Sequence, residues 1–306
     1  MASSSTSFGG YSRAGPEKQD EEEMGEIPGA DLQGFRASLS KFTYRDARSQ
    51  SLRNVQLSKK RSRSSSPPYR PSQQPSSPKK QKSRGYASPE KYAHLHHIND
   101  HLALGLDIVF CGINPGQRSA EMGHHFAHPT NHFWKCLHLS GLTPTQLSPT
   151  EDFTLPERFS YGLTNIVDRP TAEASELKDS ELTAGVPTFL QKIERYRPRI
   201  VCFIGLNIGR SVLKYASRQA ERHDTKQWNT FSPGLQPYKM VYKTENGGID
   251  ELPAETFFYA LPSTSGKVQG YQIPDKTLLF VKLKNDLTEL KEGTFTPAVP
   301  FSVLTL

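Results

Sequence analysis

A three-layer α/β/α sandwich around a mainly parallel central sheet is the fold class that residues 86–292 predict, on three observations. Short apolar runs rich in β-branched and aromatic residues recur at 106–112, 199–205 and 256–261, as strands buried on both faces require. Amphipathic segments of helical length alternate with them. The first and last runs break directly into Pro/Gly-containing loops. In an open α/β sheet, the carboxyl ends of strands are where ligands bind.

Taken in order, Leu106 to Gly112 gives the first buried strand, and Asn131 to Leu139 (NHFWKCLHL) gives the apolar face of a helix. Val186 to Tyr196 is a second helix, leading into the strand Arg199 to Gly205. A third helix covers about 207–217. Strands near 237–243 and 256–261 follow, then a helix over about 275–291. Residues 244–255 (TENGGIDELPAE) read as an exposed loop between strands, and the last dozen residues carry no usable periodicity.

Composition sets a tail apart from this folded part. A hydrophobic content of 35% is low for a wholly globular chain. The net charge of +7 is concentrated: residues 1–84 hold 16 Lys and Arg against 8 Asp and Glu, and the remainder is near neutral. An acidic patch from Glu17 to Glu26 precedes a basic Ser/Pro-rich segment with Lys59-Lys60-Arg61-Ser62-Arg63 and Lys79-Lys80-Gln81-Lys82-Ser83-Arg84. Such a segment buries too little apolar area to offset its ordering entropy. Residues 1–85 are therefore expected to be a disordered tail that serves nuclear localisation and DNA tethering, and 293–306 a C-terminal tail. Ser66, Ser77 and Ser88 each precede a proline, and phosphate there would oppose tethering.

Cys111, Cys136 and Cys202 lack CxxC spacing and sit in or beside apolar runs, which predicts buried thiols in a reducing compartment. No stretch approaches the roughly 18 apolar residues of a membrane span, and the Ser-rich start has no signal-peptide core. Eight of the ten histidines fall between 94 and 132, but no acidic or Cys partner completes a ligand set, so no metal is expected. Neither a phosphate-cradling P-loop nor a dinucleotide glycine fingerprint occurs, and no cofactor is expected.

Two loops carry the chemistry. Gly112-Ile113-Asn114-Pro115-Gly116 puts a carboxamide and turn amides at a strand end. A carboxamide is a poor base, but it holds water by donating and accepting hydrogen bonds. Asn-Pro-Gly is also an ordinary turn sequence, so this motif alone leaves both readings open. Pro262-Ser263-Thr264-Ser265-Gly266-Lys267 offers hydroxyls and amides for phosphates, with Gly266 allowing close approach to a duplex.

Further motifs follow in order: Gly123-His124-His125-Phe126, Asn131-His132-Phe133-Trp134-Lys135, Gly162 to Arg169, and Gly234-Leu235-Gln236-Pro237. Together with the two loops they resemble the uracil-DNA glycosylase superfamily, and within it the mismatch-specific thymine/uracil-DNA glycosylase branch, over roughly residues 105–292. The resemblance implies that Asn114 positions the water that attacks an N-glycosidic bond, with an oxocarbenium-like state and an anionic leaving base to stabilise. It implies that Phe126 stacks on a flipped pyrimidine and Asn165 reads its edge. Ile113 and His125 complete the base pocket, and Ser263, Ser265, Gly266 and Lys267 contact DNA. The implied partners are double-stranded DNA with G·U or G·T mismatches and a downstream abasic-site endonuclease. The protein is then expected to be a nuclear monomer without a membrane partner.

Two departures bear on specificity. Lys267 stands where the branch has an intercalating Arg, and lacks the planar fork that bonds a widowed guanine. Ser119 stands where thymine-excising relatives have a small apolar residue, which favours uracil over thymine. The first loop also lacks the Asp of the fast uracil-only enzymes, implying slower chemistry. The expected activity is that of a monofunctional DNA glycosylase. A uracil-restricted enzyme without mismatch dependence and a DNA-binding module with little turnover are the alternatives. The intact set of Asn114, Phe126 and Asn165 argues against the second.

Overall fold

The computed structural model describes residues 85–219, 232–242, 252–297 and 301–304. The chain divides into two units, and all described residues belong to the second, Ser76–Leu306. The acidic patch, the basic clusters, Ser66, Ser77 and most of the 244–255 segment lie outside the described residues.

The elements run β1 (Ile108–Gly112), α1 (Gln117–Met122), α2 (Phe133–Leu139), α3 (Leu155–Phe159), β2 (Tyr161–Asn165), α4 (Asp179–Tyr196), β3 (Ile200–Ile204), α5 (Leu206–Gln219), β4 (Gly234–Val241), β5 (Glu255–Leu261), α6 (Ile273–Glu292) and β6 (Ser302–Leu304). They build one six-stranded sheet in the order β2-β1-β3-β5-β4-β6. β2, β1, β3 and β5 are parallel, β4 runs antiparallel to β5, and β6 pairs parallel with β4.

Strand alternation assigns the two faces. Val109, Cys111, Val201, Phe203 and Phe258 point to the layer of α4 and α5, against Val186, Phe189, Ile193, Ile208 and Val212. Ile108, Phe110, Ile200, Cys202 and Tyr259 point to the layer of α2 and α6, against Phe133, Leu137, Phe280 and Leu283. Each fully buried Leu, Ile or Phe contributes about 1.5–3 kcal/mol. The expected three-layer α/β sandwich is therefore the observed one. The three cysteines are free and buried, and burial pushes the thiols of Cys111 and Cys202 well up. Among the described residues no helix is long and apolar enough to cross a membrane.

Several boundaries differ from expectation for physical reasons. β4 starts at Gly234 rather than near 237, because Pro237 falls where the β4–β5 register shifts and no ladder N–H is needed. α4 starts at Asp179 rather than Val186. Pro187 reads as a first-turn residue but lies inside the helix, whose start is held by Glu181 accepting from Lys178 N–H at 2.8 Å. β2 is short and contains Gly and Asn, so tertiary pairing with β1, not propensity, makes it a strand.

Candidate active site

β1, β2, β3 and β5 end on one rim, where the chain leaves β1 for β2 on one side and returns with β3 on the other. Such a switch point opens a crevice at the carboxyl ends. Here it is a cleft of about 830 Å³. Ile113, Asn114, His125, Phe126 and Asn165 line it, as do Ser263, Ser265 and Lys267. Of the residues expected at the site, Gly266 alone is not in its lining.

The Asn114 turn is laced to the segment after β2. Thr171 N–H donates to Pro115 C=O at 3.1 Å and Gln117 N–H to Thr171 C=O at 2.9 Å. The Asn114 amide Nδ2 donates to Arg169 C=O at 2.7 Å and to Thr171 Oγ1 at 2.8 Å. A backbone carbonyl is an acceptor only, and the Thr171 hydroxyl spends its own proton on Glu173 C=O at 2.9 Å. Both amide protons of Asn114 are thus committed, which fixes the orientation of the carboxamide and leaves Oδ1 to accept. The segment itself is anchored from behind. Arg169 makes a bidentate pair with Glu181 at 2.7 and 2.9 Å. The buried carboxylate of Glu176 accepts from Tyr92 Oη at 2.7 Å, Lys91 Nζ at 2.9 Å and Ala172 N–H at 3.0 Å. Burial works against ionisation of Glu176, yet these bonds bring its pKa down to about 2.

Phe126 has φ of 53°, a left-handed conformation that costs a bulky residue about 1–2 kcal/mol. Its neighbours hold it there. His125 N–H donates to Asp152 Oδ2 at 2.8 Å, and Ala127 N–H to Ser119 Oγ at 2.9 Å. The Phe126 ring stacks on Phe133, with centroids 4.2 Å apart. Asp152 also accepts from His124 Nδ1 at 2.9 Å and lies 3.4 Å from His101 Nε2. Burial raises its pKa, but the bonds from His101, His125 N–H and His124 outweigh it and lower the carboxyl to about 2.

Asn165 ends β2 in register with Gly112. A Cβ on Gly112 would stand 2.5 Å from Asn165 Oδ1 and 3.6 Å from the Phe126 ring, so glycine makes room for both side chains. His125 is buried, and its Nε2–H donates to Asn99 C=O at 3.0 Å. Burial lowers its pKa, so it is a neutral wall of the cleft.

In the loop after β5, Ser263 Oγ accepts from Ser265 N–H, and Ser265 Oγ from Lys267 N–H, each at 3.3 Å. Gly266 makes a close approach inside the protein. A Cβ there would lie 2.5 Å from Thr130 C=O, so its glycine lets this loop seat on the 128–132 segment. His132 N–H donates to Thr264 C=O at 2.9 Å, and the buried Lys276 reaches Ser265 C=O at 3.4 Å and His132 Nδ1 at 3.2 Å. Lys267 Nζ pairs with Glu173 Oε1 at 2.8 Å.

Thr171, Glu173, Glu176, Glu181, Asp152 and Lys276 are the supporting residues that sequence reasoning missed. As single polar residues without motif or spacing, they gave no signal. Among the described residues no group of three or more His, Cys, Asp or Glu is placed to hold a metal. Four of the clustered histidines have other partners: Asp152 for His124, Asn99 for His125, Thr130 N–H for His128 and Lys276 for His132.

A family model described as the uracil DNA glycosylase superfamily matches residues 100–288, a span that contains β1 through most of α6. It covers more than half of the chain and the loops from all four strand ends. The protein belongs to the uracil DNA glycosylase superfamily, and is thus a DNA glycosylase, a hydrolase of DNA repair.

Proposed function

We propose that the protein is a monofunctional glycosylase of the mismatch-specific thymine/uracil branch, releasing uracil opposite guanine from a nucleotide turned out of the duplex. The observation that carries the hydrolytic part of this reading is the commitment of both Asn114 amide protons to Arg169 and Thr171, while the branch and the opposite guanine rest on the sequence resemblance. Oδ1 is then the group that accepts a proton of the attacking water and aims its oxygen at C1′. As the C1′–N1 bond breaks, the electron pair leaves with the base as an anion, water adds at C1′, its proton passes to solvent, and the uracil anion takes a proton from solvent. The products are free uracil and an abasic site, the substrate of a downstream endonuclease.

Phe126, held in its strained conformation, offers a ring on which the extruded base stacks, and the Asn165 carboxamide pairs with the pyrimidine edge. Ile113 and neutral His125 close the wall. Ser119 lines the same cleft and keeps its hydroxyl oxygen on Ala127 N–H, a polar neighbour for the C5 position that favours uracil over thymine. Ser263, Ser265 and Lys267 face the duplex. The basic tail adds salt-sensitive affinity and directs the protein to the nucleus.

Single-turnover base release from G·U, A·U and G·T duplexes and from single-stranded uracil tests the assignment. Release ordered G·U ahead of G·T and A·U supports it. Equal release from G·U, A·U and single strands would replace it with a uracil-restricted enzyme, and no release from any substrate with a DNA-binding module.

A further inference from the structure

Glu173 touches both working parts of the cleft. Its backbone carbonyl accepts the Thr171 hydroxyl at 2.9 Å, the same hydroxyl that takes an Asn114 amide proton at 2.8 Å. Its carboxylate reaches Lys267 Nζ at 2.8 Å, from a residue 94 positions away in sequence. Glu173 comes from the segment after β2 and Lys267 from the loop after β5, and both line the cleft, so the pair bridges its mouth. A carboxylate on a surface that meets a polyanion weakens that contact. Its placement on the loop cation therefore calls for a role.

We propose that Glu173 is a positioning residue that holds Lys267 across the mouth of the cleft in the free protein, and that DNA must displace it to seat the 263–267 loop. The proposal rests on the reading of that loop as the element that meets the duplex. Glu173 presents its carboxylate from a fixed rim, since Glu176 accepts Ala172 and Glu173 N–H at 3.0 and 3.4 Å, and Ser175 Oγ lies 3.5 Å from the carboxylate. A lysine suits a pair that must open, because an ammonium is a point charge and gives up no bidentate geometry on leaving. Opening the pair costs the same for every duplex that seats the loop. A site with a nucleotide already out of the stack offers further contacts that offset this cost. Glu173 thus lowers affinity for intact and damaged DNA by one common factor.

The side chains are 62% and 23% exposed, so the pair is worth about two- to fivefold in affinity. The test is a double-mutant cycle on the full chain, comparing wild type, Glu173→Gln, Lys267→Ala and the double variant. Fluorescence anisotropy reads binding to an intact G·C duplex and to the same duplex with one abasic site. Glu173→Gln keeps the residue's own backbone bonds, retains one side-chain oxygen to accept the Glu176 N–H that Glu173 caps, and removes the charge. Expected is about two- to fivefold tighter binding to the intact and the abasic duplex alike, and loss of the gain when Lys267 is Ala. In single-turnover assays the change falls on the enzyme concentration for half-maximal rate rather than on the plateau. Equal tightening in both backgrounds would mean that Glu173 simply repels phosphate, and would overturn the proposal, as would no tightening. Binding requires no turnover. A wild type that binds but releases no base therefore removes the glycosylase reading separately, while one that binds neither duplex overturns both.

Discussion

Thr171→Val is the sharpest probe of how the protein aims Asn114. Valine keeps the shape of threonine at this buried position and deletes only the hydroxyl. Two bonds go with it: one from Asn114 Nδ2 at 2.8 Å and one to Glu173 C=O at 2.9 Å. The Asn114 amide keeps its 2.7 Å bond to Arg169 C=O, so it is loosened rather than released. A neutral bond is worth about 0.5–1.5 kcal/mol net, and a buried group left unpaired costs about 1–3 kcal/mol, so the fold should lose about 1–3 kcal/mol. For a domain of this size that is a melting temperature lower by roughly 2–10 °C. The catalytic loss should be larger in proportion, because a carboxamide held by one bond samples orientations that do not present Oδ1. A fall of about 10- to 100-fold in the single-turnover rate on G·U is expected, with duplex affinity retained. A variant that loses stability but releases base within about twofold of the wild-type rate would refute the claim that Thr171 sets the geometry of Asn114.

Gly112→Ala drives a methyl to 2.5 Å from Asn165 Oδ1, and should lower the base-release rate by about tenfold or more while costing about 1–3 kcal/mol in denaturant titrations. Gly266→Ala collides with Thr130 C=O at 2.5 Å, and should weaken duplex binding, read by anisotropy, more than it slows the saturated rate. The carboxyls of Asp152 and Glu176 are depressed to about 2 in the fold. Their stabilisation is full above the unfolded carboxyl values near about 4 and is lost as pH falls toward about 2, so melting temperature should drop across that window, less steeply in Asp152→Asn. The buried thiols of Cys111, Cys136 and Cys202 should resist a thiol reagent in the native protein and all react once it is unfolded by denaturant.

Sequence made the layers legible because strands buried on both faces cannot hide their composition: 108–112 and 200–204 are apolar throughout. It also marked the strand ends that matter, since Asn-Pro-Gly and Pro-Ser-Thr-Ser-Gly interrupt those runs abruptly. β2 stayed invisible because Tyr161 to Asn165 owes its extended form to its partner β1 and to the His101–Leu163 bridge on its other side. Pro187 disguised the first two turns of α4 as a loop, though Glu181 holds their start. In the site, the expected residues that line the cleft carried motif signatures. Those that orient them did not, because Asp152, Thr171 and Glu176 act through bonds to residues far away in the chain. Gly112 was legible as the end of a strand and Gly266 as a glycine permitting close approach, but what each makes room for inside the protein depends on which side chain or carbonyl another segment brings opposite.

In the proposed mechanism Asn114 Oδ1 holds the attacking water. The most direct test is single-turnover uracil release from a G·U duplex by wild type and Asn114→Ala, with binding to the same duplex measured in parallel. Expected is a rate lower by about 10²-fold or more in the variant with affinity changed little. Equal rates, or a loss of release explained entirely by lost binding, would contradict it.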